Sequence, residues 1–276
     1  MTEAGFGSDM GAEKFFHIKA AASGATPDCV VIAATVRAMK LHGGAFGAAA
    51  GKRPDPALVA REDAAAARQG AATNLARHVA NMVAFGAPVL LAVNRFPTDH
   101  DSEIEALLDE AVKAGAKAAV VSMVHSRGGK GGEELANAVK EACAAHRAAG
   151  RPFTPLFPPE AHVSAKIEAI ATRVYGAASV DFSSKAKAQL KRLERWGMET
   201  LPVCMAKGQY SFSHEAHRLG APSGFKLPVQ ELRLNSGAGF VVVITGSIMT
   251  MPGLPAAPAA VSMSIDDDGN LVGVFG

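Results

Sequence analysis

The chain has 276 residues, 49% apolar and 20% charged, with a formal net charge of +2 when histidine is neutral. That balance belongs to an ordinary globular protein able to bury a substantial core, with one large domain and a smaller one expected. It disfavours a nucleic-acid partner, and no apolar run approaches the roughly 18 residues of a membrane-spanning helix. No secretory signal opens the chain, so a cytoplasmic location is expected. Cys29, Cys143 and Cys204 are odd in number and far apart in sequence. They read as buried reduced thiols, not as a metal cluster or disulfide frame.

The first residues carry Gly5, Gly7 and Gly11 and lead into a short helix around Ala12–Ile18. Cys29–Val36 (CVVIAATV) is the first expected strand, followed by Arg37, Lys40, His42 and the pair Gly43-Gly44 at its carboxyl end. Gly44–Pro56 reads as a surface loop. Helical composition runs from Ala57 to Phe85 with a break near Gly70, and Leu75, Val79, Met82 and Val83 make one apolar stripe at helical spacing. Val89–Val93 is an uncharged apolar run closed by Asn94-Arg-Phe-Pro-Thr-Asp99, the pattern of a buried parallel strand opening into a loop. Ligands of open α/β sheets sit beyond the carboxyl ends of the strands, which makes this loop the expected seat of chemistry. On pattern alone Phe96 reads first as a hydrophobic plug at the strand end, with a stacking face as the alternative.

A helix over Ser102–Ala114, a third strand over Ala118–Met123, a glycine-rich loop Arg127–Gly132 and a helix to Ala149 follow. Strand, loop and helix repeated three times predict a doubly wound parallel sheet over residues 1–150. A connector bearing Pro152, Pro155, Pro158 and Pro159 then leads to an α+β region, 151–276. There, helices are expected near Ser164–Tyr175 and Ser183–Trp196, and β segments at Leu201–Ala206, Lys226–Leu234, Phe240–Ile244 and Leu271–Phe275.

Standard catalytic motifs are missing. Gly51-Lys52-Arg53 lacks the first glycine and the hydroxyl of a phosphate-cradling P-loop. The nine histidines show no metal-ligand spacing, so no metal is expected. No nucleophile elbow occurs either, and catalytic residues stay unassigned. Two loops offer positive charge to an anion: Arg37 and Lys40 after the first strand, and Arg127 and Lys130 in the glycine-rich loop before a helix N-terminus. A solvated basic turn and a simple tight turn fit the same patterns.

The chain nevertheless resembles one family throughout its length, formate–tetrahydrofolate ligase (10-formyltetrahydrofolate synthetase). The motifs that carry the resemblance are Thr2-Glu-Ala-Gly-Phe-Gly7, Ala34-Thr-Val-Arg-Ala-Met-Lys-Leu-His-Gly-Gly44 and Asn94-Arg-Phe-Pro-Thr-Asp99. Lys166-Ile-Glu-Ala-Ile-Ala171, Leu201-Pro-Val-Cys-Met-Ala-Lys207, Gln209-Tyr-Ser211 and Met249-Thr-Met-Pro-Gly-Leu-Pro255 continue the same order. The resemblance implies the C-terminal half of an enzyme that joins formate to tetrahydrofolate with ATP and Mg²⁺ through formyl phosphate. It further implies a P-loop-NTPase-like sheet remnant, no tightly bound cofactor and a monovalent cation. A complementary P-loop subunit and a homo-oligomer are implied as partners.

By the same resemblance Phe96 and Pro97 flank the pterin ring, and Met251, Pro252, Gly253, Leu254 and Pro255 lie near the nucleotide. Three positions depart from the family pattern. His125 stands where the family has tryptophan opposite the phenylalanine, Gly208 replaces threonine, and Ser247 replaces aspartate. Two functions follow as expectations: a folate-binding half that needs a P-loop half for activity, or an inactive truncated paralogue acting as a pterin- or nucleotide-binding or oligomerisation module.

Overall fold

The architecture is built outward from one strand. In a computed structural model that describes residues 1–47, 54–246, 248, 257–269 and 271–273, β2 (Val89–Asn94) is the middle of a three-stranded sheet. It pairs in parallel with β1 (Val30–Ala34) and β3 (Ala118–Ser122), in the order β1-β2-β3. All five residues from Val89 to Val93 are buried, because both faces of β2 are covered. Val89, Leu91 and Val93 point into a core with Phe16, Met39, Leu75, Val79, Ile104 and Leu107. Leu90 faces the other way, toward Ala138 and Ala142 on the helix Glu133–Ala148. Each fully buried Val or Leu contributes about 1.5–3 kcal/mol, so this run anchors the sheet. β1 differs: Val31 and Ala33 are exposed, and among the described residues its outer edge carries no partner strand.

Residues Met1–Gly246 form one compact unit containing a second core, and Ser247–Gly276 another. The second core gathers Val163, Ile167 and Ile170 from the helical run that begins Val163–Ala169, with Val203, Met205, Val241 and Val243. Its strands are β4 (Ser179–Phe182), β5 (Val203–Ala206), β6 (Lys226–Val229), β7 (Glu231–Asn235) and β8 (Phe240–Ile244). β4 and β6 pair in parallel; β8 lies between parallel β5 and antiparallel β7. In the smaller unit β9 (Ser264–Ile265) pairs antiparallel with β10 (Leu271–Val272). The protein is therefore mixed α/β with parallel sheets. No helix among the described residues is long and apolar enough to cross a membrane.

Several local expectations are corrected. The first strand is shorter than Cys29–Val36. Thr35 caps a helix instead, its Oγ1 accepting the Ala38 N–H, so Arg37, Lys40 and His42 belong to the helix Val36–His42 and not to a loop. The expected single strand Lys226–Leu234 divides at Gln230, because β6 and β7 serve different sheets. Helix also begins earlier than Ala12, at Ser8.

Gly70 does not break its helix: Ala64–Gly70, Ala71–Leu75 and Ala76–Val83 run on, the middle segment as a wider π turn. The interruption falls at residues 61–63 instead. Gly70 is needed where two helices cross. A Cβ there would run into the Met39 carbonyl, and one at Gly43 into the Ala66 carbonyl. Gly43→Ala is therefore expected to destabilise the chain by about 1–3 kcal/mol through overpacking, although alanine favours helix. Chemical denaturation reads this directly; an unchanged midpoint would remove the close-crossing explanation.

Candidate functional site

The carboxyl ends of the three parallel strands set the site. Asn94 pairs with Ser122, and the next N–H, of Arg95, donates to the Ser122 carbonyl at 3.1 Å. Phe96 and His125 thus leave adjacent strands at the same end of the sheet, one and three residues beyond this last link. Phe96 is 42% exposed although large and apolar, and Pro97 beside it is exposed too. A closed turn holds it there. The Phe96 N–H donates to Asp99 Oδ2 at 2.8 Å, and the Asp99 N–H donates back to the Phe96 carbonyl at 3.0 Å. Burial raises the Asp99 carboxyl above its usual range, with the Phe96 N–H, Lys40 and Arg95 pulling the other way. Arg95 turns outward to Asp101, 2.8 Å away.

Lys40 lies beneath this loop, where the sequence grouped it with exposed anion-binding residues. It is 1% exposed, and its ammonium is spent on Glu103 Oε1 (2.8 Å) and the carbonyls of Val59 (2.9 Å) and Arg61 (2.6 Å). Glu103 is fully buried and also accepts the N–H groups of Asp63 and His100. Burial pushes its carboxyl up, but Lys40 and the two N–H donors outweigh this and hold it below the usual range. The pair pins the N-terminus of the helix Asp101–Lys113, and so the exit of the Phe96 loop.

The loop after β3 is a short helix Val124–Arg127 followed by a tight 3₁₀ turn Gly128–Gly132. Gly128 has φ of 57°, and a Cβ at Gly131 would run into the Met123 carbonyl. Glycines here let the chain fold back on itself. His125, Arg127 and Lys130 are all exposed, as is Arg37 at the first turn of its helix. Glu133 and Glu134 occupy the first turn of the following helix and already bring negative charge to its positive end. Met251–Pro255 and Ser247 lie outside the described residues. Gly208, another departure, has a carbonyl that accepts from Lys207 at 2.9 Å.

Sequence reasoning missed a buried polar cluster that joins the motif at residues 2–7 to the motif at 201–207. Lys207, 2% exposed, pairs with Asp9 at 2.9 Å, donates to the Ser211 carbonyl and lies over the Tyr175 ring. Its pKa is lowered by burial, with Asp9 opposing. Ser8 hydrogen-bonds His78 Nδ1 at 2.7 Å, and a Cβ on Gly7 would press on the His78 ring. Glu13 and His17 form a second buried pair at 2.7 Å. The available signal was a charged residue closing an apolar strand, at Lys207, and glycines packed before Asp9.

His42 completes the picture. Its Nδ1 accepts the Gly220 N–H at 3.0 Å, and burial, with His78 nearby, lowers its pKa to about 4. It is a neutral internal link and not an anion ligand.

The family model for formate–tetrahydrofolate ligase matches residues 1–275. The formate–tetrahydrofolate ligase of Symbiobacterium thermophilum is 49% identical over 276 residues, covering 100% of this chain and 47% of that relative. The ligase of Roseiflexus sp. is 49% identical over 274 residues (99% and 48%), and that of Lactiplantibacillus plantarum 46% identical over 279 (100% and 47%). The chain thus spans about half the length of the curated relatives it matches. With its motifs in order and matched almost end to end, the chain belongs to the formate–tetrahydrofolate ligase family.

Proposed function

We propose that this chain carries the folate side of a formate–tetrahydrofolate ligase. The observation that supports the reading is Phe96: an apolar ring held exposed by a closed turn at the carboxyl end of a parallel sheet. A pterin ring stacks on Phe96 and Pro97, with the His125 imidazole as the second wall. Arg127 and Lys130, and Arg37 across the sheet end, supply positive charge for an anionic group. Lys40 positions the loop from below.

In this reading formate takes the γ-phosphoryl group of ATP, with Mg²⁺ bound to the nucleotide, giving formyl phosphate and ADP. The N10 amine of tetrahydrofolate then attacks the formyl carbon, the C–O bond to phosphate breaks and inorganic phosphate leaves as N10 gives up its proton, a step that asks mainly for orientation and charge stabilisation. The phosphate-cradling element comes from a complementary P-loop half, which extends the parallel sheet along the edge of β1 that carries no partner strand among the described residues. A second reading, a binding module without ligase activity, is favoured by the polar ring at His125.

Titration calorimetry with tetrahydrofolate tests the site. Binding is expected, weakened about tenfold by Phe96→Ala, since stacking on an aromatic ring is worth ~1–3 kcal/mol for nucleobases. No heat of binding, or a Phe96→Ala variant that binds unchanged, would sink the pterin site. Formation of 10-formyltetrahydrofolate with ATP, Mg²⁺ and formate, with and without an added P-loop half, separates the two readings.

A further inference from the structure

Two of the three cysteines, 114 positions apart in sequence, meet in space. Asp28 accepts from Arg147 Nη2 at 2.7 Å and Nε at 3.1 Å, and lies 2.9 Å from Arg151 Nε. Arg147 is one turn past Cys143 on the Glu133–Ala148 helix and Arg151 lies just beyond its end, so the clamp holds the entry of β1, with Cys29, beside the helix face that carries Cys143. The Cys29 thiol donates to the Val30 carbonyl at 3.7 Å, and Cys143 lies near enough to act on it. Both are partly exposed, not buried as the sequence suggested. Ala142 and His146, beside Cys143 on the helix, line an open groove of about 420 Å³ that also reaches Pro88 and Lys117.

We propose that Cys29 and Cys143 are a modification site: they form a reversible disulfide that ties the entry of β1 to the Glu133–Ala148 helix. The oxidant is a small hydroperoxide. Burial and the neighbouring Cys143 push the Cys29 thiol up to about 12, so Cys29 keeps its proton and Cys143 reacts first. The Cys143 sulfur attacks one peroxide oxygen, the O–O bond breaks, and water (or an alcohol) leaves with the thiol proton. Cys143 is then a sulfenic acid. The Cys29 sulfur attacks the sulfenic sulfur, the S–S bond forms, the S–O bond breaks, and hydroxide leaves with the Cys29 proton as a second water. A dithiol reverses the bond by exchange.

The pair sits at the opposite end of the strands from Phe96. Val30, next to Cys29, pairs with Val89 at the start of β2, whereas Phe96 lies beyond its last residue. Oxidation is therefore expected to leave tetrahydrofolate titrations unchanged and to raise the unfolding temperature by several degrees, because a long loop is closed in the unfolded chain.

The test treats the folded protein with hydrogen peroxide at low molar excess, followed by thiol titration and non-reducing peptide mapping. Titratable thiols are expected to fall from three to one, with a Cys29–Cys143 linked peptide lighter by two hydrogens and full recovery after dithiothreitol. Cys29→Ser and Cys143→Ser, checked for folding by circular dichroism, should yield no linked peptide. Three surviving thiols, a sulfinic acid on Cys143 without linkage, a link through Cys204, or loss of the folded signal before linkage would each overturn the proposal.

Discussion

Glu103→Leu is expected to destabilise the folded chain by about 3–5 kcal/mol, because it strands the Lys40 ammonium in the interior. Lys40→Met should cost a similar amount, leaving the Glu103 carboxylate with only backbone donors. The double variant Lys40→Met/Glu103→Leu should recover much of the loss, since a buried pair exchanged for apolar side chains of similar size is often near neutral. Urea unfolding of the three variants measures the coupling. Additive losses in the double variant would show that the two groups do not act as a unit. The same variants test positioning. Glu103 holds the His100 N–H, one residue past Asp99, whose side chain closes the Phe96 turn. Each single variant should therefore speed tryptic cleavage at Arg95 under native conditions beyond what its global stability explains.

The central strand and its loop were legible in the sequence because they are local. A short uncharged run can be buried on both faces only inside a covered sheet, and the proline turn that ends it is written in neighbouring residues. The role of Lys40 was not legible. Its acceptors, Val59, Arg61 and Glu103, lie up to 63 positions away, and no spacing rule distinguishes a lysine that faces solvent from one that faces a distant carboxylate. Gly43 and Gly70 failed for the same reason. Each reads as a turn or a helix break, whereas each marks a place where another backbone passes too close for a side chain. The family resemblance is what marks Phe96 as the proposed pterin platform. The geometry supplies its support: a carboxylate closing the turn, and a buried ion pair beneath it.

Acid should loosen the protein through His42 well before ordinary carboxylates are protonated. Its folded pKa is about 4, whereas an unfolded histidine titrates near 6.5, so the folded state favours the neutral ring. The stabilisation is fully present above about pH 6.5 and lost as pH falls toward 4, because the unfolded chain binds the proton first. Between pH 7 and pH 5 this amounts to about 2 kcal/mol from His42 alone. His78, lowered chiefly by burial, adds in the same direction. The structural cause is specific: Nδ1 must stay unprotonated to accept the Gly220 N–H, and the Gly220 carbonyl in turn receives the buried Asn74 side chain. Asparagine places an acceptor oxygen near the position of Nδ1 and does not titrate. His42→Asn should therefore keep most of the stability at pH 7 while flattening its decline toward pH 5 by His42's share. Denaturation curves for both proteins across this range decide the matter, and an identical decline would remove His42 as the acid-sensitive link between the Val36–His42 helix and the Gly220 turn.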